Sequence, residues 1–132
     1  MDRRTVSSGT EWEPVVGYSR AVRVGSQVHV AGTTATDDDG DVVGRDDPYA
    51  QTKRALEIVA ETLAEADSAI EDVVRTRLYV TDIDDWEEIG RAHGDVFEEV
   101  RPAATMVEVD RLIDPDHLVE IEAVAIVDDE LE

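Results

Sequence analysis

Two stretches of the chain place charged side chains at a spacing that can do chemistry. Arg75, Arg77 and Tyr79 alternate within Val73–Val80, and Glu120 and Glu122 alternate within Val119-Glu120-Ile121-Glu122. In extended backbone a period of two puts each set on a single face. If the two strands are neighbours, arginines meet glutamates across a sheet. One reading of that meeting is a cross-strand ion-pair ladder at a subunit interface. The other is a small anion pocket with a base, in which arginine binds a substrate acid and glutamate handles a proton.

Other catalytic devices are missing. No Gly-x-Ser-x-Gly elbow and no phosphate-cradling glycine loop occurs. The three histidines, His29, His93 and His117, lack metal-ligand spacing, and His93 falls on the apolar stripe of a helix, as a packing residue does. There is no cysteine, which removes disulfides, thiolate metal sites and cysteine nucleophiles. No metal and no cofactor is expected.

The elements that must hold these residues follow from pattern. Ala21–Val24 and Val28–Ala31 flank Gly25-Ser26, a two-residue hairpin signal. Residues 1–16 resemble an extended arm, and Asp37-Asp38-Asp39-Gly40-Asp41 is a turn-rich acidic loop. Asp47 is an N-cap with Pro48 at the first helical position, and Leu56, Val59, Ala60 and Leu63 then recur at helical spacing to about Ala66. Val73–Val80 reads as a strand. A second helix is predicted from Asp84, with Glu87 completing a capping box and an apolar stripe of Trp86, Ile89, His93, Val96, Phe97 and Val100. Pro102 follows its end, and Thr105–Val109 and Val119–Val127 are the last strands, joined around Asp114-Pro115-Asp116.

The order hairpin, helix, strand, helix, strand, strand implies an α+β domain with a mixed sheet and both helices on one face. Positions such as Val24, Val30 and Leu78 exceed what two helices cover, so self-association over the open face is expected. Nothing repeats and no linker divides the chain, so residues 1–132 form a single domain.

Composition sets the surroundings. Against 33 Asp and Glu stand 12 Lys and Arg, a formal charge of -21, and Lys53 is the one lysine. So much like charge opposes compaction in dilute salt, whereas at ionic strengths near 1 M the Debye length falls to about 3 Å and screens it. The acids are spread along the whole chain, which fits a halophile's surface better than an acidic tail for a basic partner. No window offers the basic face that nucleic acid requires. No apolar run has membrane-spanning length and no hydrophobic core region follows Met1-Asp2-Arg3-Arg4, so a cytoplasmic protein without membrane attachment is expected.

Four segments resemble the Rid (YjgF-type) proteins. They are Gly17-Tyr18-Ser19-Arg20-Ala21, Val73–Val80, Arg101-Pro102-Ala103-Ala104-Thr105-Met106-Val107-Glu108-Val109 and Val119-Glu120-Ile121-Glu122-Ala123. Their order and spacing match from about Val15 to Val127. The resemblance implies a chorismate-mutase-like subunit in a homotrimer, with a small-molecule site in each cleft between adjacent subunits. It also implies hydrolysis of reactive imines and enamines made from amino acids. In such proteins an arginine just after Pro-Ala holds the substrate carboxylate, while a tyrosine and a glutamate place and activate water. Tyr18 and Glu120 match the latter two.

The arginine's position is occupied by Ala104. A bidentate arginine–carboxylate contact is a pair of charge-assisted hydrogen bonds, each worth about 1.5–3 kcal/mol. Its loss leaves three cases: a substrate without that carboxylate, another cation in the role, or a site that no longer does this chemistry. Arg77 is the candidate for the second case, with Arg91 and Arg20 behind it. Thr105 and backbone groups near Gly32 are expected to position the substrate. The alternative is a non-catalytic trimeric protein that binds a small ligand in the same cleft.

Overall fold

The computed structural model describes residues 2–128. Its strands are β1 (Arg3–Val6), β2 (Ala21–Val24), β3 (Gln27–Thr33), β4 (Val73–Val80), β5 (Ala103–Glu108) and β6 (Val119–Ile126). Its helices are α1 (Trp12–Val16), α2 (Pro48–Glu65) and α3 (Trp86–Phe97). The six strands form one mixed sheet in the order β1-β2-β3-β6-β4-β5, antiparallel throughout except for the parallel pair β4–β5.

α2 begins where expected: the Asp47 side chain accepts from the Ala50 N–H, with Pro48 in the first turn. It lies against β3 and β6 and alongside α3. Leu56, Val59 and Leu63 from α2, Ile89 and Phe97 from α3, and Val28, Val30, Leu78, Val80, Val119 and Ile121 from the sheet close a core on one face. Each such fully buried aliphatic or aromatic side chain contributes about 2 kcal/mol of hydrophobic stabilisation. His93 belongs to the same packing. Its Nε2 meets Thr76 Oγ1 at 2.9 Å, its ring lies 4.6 Å from that of Phe97, and burial pulls its pKa down, which favours neutral imidazole.

Three local expectations need correction. The first 16 residues are more than an arm, since β1 pairs with β2 and α1 follows. The second helix starts at Trp86 rather than Asp84. A 3-10 turn, Ile83–Asp85, intervenes; Asp82 caps that turn by accepting from the Asp84 N–H, while Asp85, the N-cap residue of α3, makes no side-chain cap. Trp86 is therefore the first residue of α3 and 56% exposed, so the buried stripe begins one turn later at Ile89. Finally, Val30 and Leu78 both lie on the helix-covered face, and only Val24 of the three positions cited above belongs to the other.

Neither α2 nor α3 packs on that other face, where α1 borders a groove. By strand alternation the face carries Val22 and Val24, His29, Glu120, Glu122, Val124 and Ile126, Arg75, Arg77 and Tyr79, and Thr105 and Val107.

Candidate functional site

The strands posed as possible neighbours are neighbours. β4 and β6 pair antiparallel with Arg77 opposite Glu122 and Tyr79 opposite Glu120. The two glutamates nevertheless differ in their surroundings. Glu122 Oε1 accepts from the Tyr79 hydroxyl at 2.9 Å and lies 3.7 Å from Arg77 Nη1. That hydrogen bond, with burial and the negative charge of Glu122, pushes the Tyr79 phenol up from its ordinary value. Glu122 thus belongs to a cross-strand ladder.

Glu120 does not. Its carboxylate packs against the α-carbon of Gly32: a methyl built there would stand 2.9 Å from both Cδ and Oε2. The space exists because Gly32 lacks a side chain and because the β3–β6 register shifts between Val30 and Thr33. Burial pushes the Glu120 carboxyl above its ordinary value; Glu122 adds to the rise, while Arg20 and His117 oppose it. A raised carboxyl with no direct ion pair among the described residues is suited to taking up and returning a proton.

Arg20 approaches the same glycine through its carbonyl. Its Nη2 donates to Gly32 O at 2.5 Å and to Thr33 Oγ1 at 3.3 Å. Burial works against its charge, which Tyr18, Glu13 and Glu120 help to sustain. The sequence offered Arg20 only as a minor candidate, because nothing in a linear pattern brings residue 20 to residue 120.

Tyr18 is positioned by the end of α1. Gly17 closes that helix in the left-handed region (φ 87°), which a residue with a side chain resists, and its N–H donates to Glu13 O. The turn delivers Tyr18 into a groove of about 640 Å³ on the open face, lined also by Arg3, Ser7, His29, Arg77 and Glu122. Glu13 holds the groove's outer wall. Its buried carboxylate accepts from Ser8 N at 2.9 Å and Ser8 Oγ at 2.5 Å, with Thr10 Oγ1 at 3.4 Å. Burial alone would raise its pKa, but the Ser8 and Ser7 hydrogen bonds and Arg20 outweigh it and leave it below the ordinary value.

Glu120, Gly32 and Arg20 do not line that groove, whose glutamates are Glu13 and Glu122, and the remaining predicted site residues do not join Glu120 within one copy of the chain either. Thr105 stands opposite Arg77, two strands from β6 and so roughly 10 Å away at ordinary strand spacing. It accepts a long contact from Arg75 Nη2 at 3.5 Å. Ala104 stands opposite Thr76, on the other face of an exposed edge strand. Arg91 lies 4.8 Å over the Tyr49 ring, linking α3 to α2, and is no part of the groove.

Comparison with known proteins gives this geometry its context. Residues 9–127 match the family model described as endoribonuclease L-PSP. The crystal structure of Rv2704 from Mycobacterium tuberculosis, described as a member of the YjgF/YER057c/UK114 family, superposes with a TM-score of 0.87 at 51% identity, covering 96% of this chain and 100% of that one. The 3-aminoacrylate deaminase RutC of Acinetobacter baylyi is 34% identical over 112 residues, 85% of this chain and 88% of the relative. E. coli TdcF, solved with bound serine, has a TM-score of 0.77 at 27% identity, covering 84% of this chain and 88% of that one.

Proposed function

We propose, for a chain that belongs to the endoribonuclease L-PSP (YjgF/Rid) family, hydrolytic deamination of a small imine or enamine in clefts between the subunits of a homotrimer. The carrying observation is the half-buried Glu120 carboxylate, seated against Gly32 while its neighbour Glu122 is taken up by Tyr79 and Arg77. The deaminase relative RutC supports the reaction class.

In this mechanism Glu120 takes a proton from water as the oxygen attacks the C=N carbon and returns it to the nitrogen, giving a neutral carbinolamine. The carbinolamine then gives its hydroxyl proton to Glu120, which passes it to the amine as C=O forms and the C–N bond breaks, so that ammonia leaves. An enamine first takes a proton on its β-carbon to become the imine. Tyr18 closes the pocket and orients the substrate. Because Ala104 has no charge, the substrate's anionic group falls to Arg77, whose one ion-pair neighbour among the described residues, Glu122 at 3.7 Å, leaves donors for a ligand. Thr105 and Ala104 lie on edge strand β5, away from Glu120 within one copy, so in this reading they would meet it from a neighbouring subunit across the cleft. No helix of the described residues is long and apolar enough to cross a membrane, and the acidic surface fits a cytoplasm of high salt.

The test is ammonia release by purified protein in molar salt from imines generated from several amino acids. Acceleration lost in Glu120→Gln is expected, and a rate indifferent to that change sinks the reading. The missing arginine at Ala104 favours a second reading, a trimeric binding protein. Saturable binding of 2-keto acids with no turnover of any imine would establish it.

A further inference from the structure

We propose that Arg20 is the positioning residue for Glu120, holding the backbone of Gly32 where the Glu120 carboxylate rests and supplying the cation that faces it. The role rests on Glu120 being the group that activates water. Three contacts carry it. Arg20 Nη2 grips Gly32 O at 2.5 Å. The same hand reaches Thr33 Oγ1, which itself donates to Ala31 O at 2.8 Å, so residues 31–33 are tied across the register shift. The Glu120 carboxylate fills the space where a Gly32 side chain would be.

The arrangement is costly in a way that structure alone does not explain. Arg20 Nε is buried without an acceptor among the described residues. An unsatisfied buried donor on a charged group works against folding, and an apolar side chain of similar length would fill the site more cheaply. A cation retained there has electrostatic work to do. The charged and titratable groups facing Glu120 are Arg20 from the start of β2, Glu122 from its own strand, His117 from the preceding loop and Tyr79 from β4. Tyr79 is committed to Glu122, and His117 Nε2 is 3.3 Å from Ala35 O, so Arg20 is the principal group favouring an ionised Glu120.

The experiment compares wild type, Arg20→Gln and Arg20→Lys in molar salt. Glu120 is titrated by carbon NMR of labelled glutamate, its resonance assigned with Glu120→Gln, and the pH profile of kcat is measured alongside. In Arg20→Gln the Glu120 titration should move to higher pH. The acid limb of kcat should follow it, with kcat at neutral pH down by about tenfold or more and KM changed by less than about threefold. Arg20→Lys should restore most of the titration but not all of kcat, since an ammonium on a flexible stem does not reproduce the grip on Gly32 O. An unmoved Glu120 titration in Arg20→Gln overturns the proposal. So does a rise in KM with kcat intact, which would make Arg20 a substrate clamp. If Arg20→Gln does not fold, Arg20→Lys carries the test, and wild-type kcat in it refutes positioning. A shifted titration in a protein that hydrolyses no imine would uphold the coupling and discard the hydrolase reading.

Discussion

The carboxylate of Glu120 occupies the volume that a side chain at Gly32 would need, with only 2.9 Å between its Oε2 and a methyl built on that glycine. Gly32 is thus required for room, not for an unusual backbone angle. Gly32→Ala forces the free end of Glu120 to move while the core stays packed. We expect hydrolysis to fall by on the order of 100-fold, as for a misplacement near 1 Å, with stability changed by about 1 kcal/mol or less. Full activity together with a large loss of melting temperature would show that the glycine serves folding instead.

Glu120→Gln should remove activity yet raise stability near neutral pH. The sign follows from the raised carboxyl. A folded-state pKa above the unfolded one means that the folded state holds the proton longer, so stability falls as pH climbs through that window. Glutamine never ionises and escapes the penalty. Urea midpoints should therefore favour the variant near pH 7 and converge toward the ordinary value of 4.5. A variant less stable than wild type at both pH values would contradict this.

Glu13 behaves oppositely. Its pKa is depressed, so its stabilisation is present above 4.5 and is lost as pH falls through the lower folded-state value. Removing a carboxylate that accepts from Ser8 twice should cost about 2 kcal/mol in Glu13→Ala. The difference between the two proteins should shrink on acidification, and a difference independent of pH would assign the effect to packing.

The charge of -21 predicts that stability depends on salt. Thermal midpoints should climb by on the order of 10 °C between about 0.1 M and about 2 M KCl as like charges are screened. A flat or falling curve would remove the case for a surface built for concentrated salt.

Much of the scaffold was legible because it is written locally. Asp47 and Pro48 start α2 through a cap and a fixed φ, and period-two alternation marks β4 and β6. The face carrying Arg77 and Glu122 followed from that alternation, although their pairing needed the sheet order. What stayed hidden is non-local or depends on single turns. The pairing of β1 with β2 leaves little mark in four residues. The capped element is a 3-10 turn closed by Asp82, after which α3 starts from Asp85 without a side-chain cap. The meeting of Arg20, Gly32 and Glu120 requires a register shift that no periodicity announces. A glycine within a strand, at Gly32 between Ala31 and Thr33, was the available signal.

Ala104 sits exposed on β5, a strand hydrogen-bonded to the sheet along one side only. A side chain installed there disturbs no buried neighbour, so the choice of residue is nearly free of consequences for folding. Glu120, Gly32 and Arg20 are interlocked, and changing one displaces the others. The chain therefore sets an interlocked group of three residues beside a structurally unconstrained position on its edge strand. Under the proposed function, residue 104 can then change what the cleft accepts while that interlocked set stays in place.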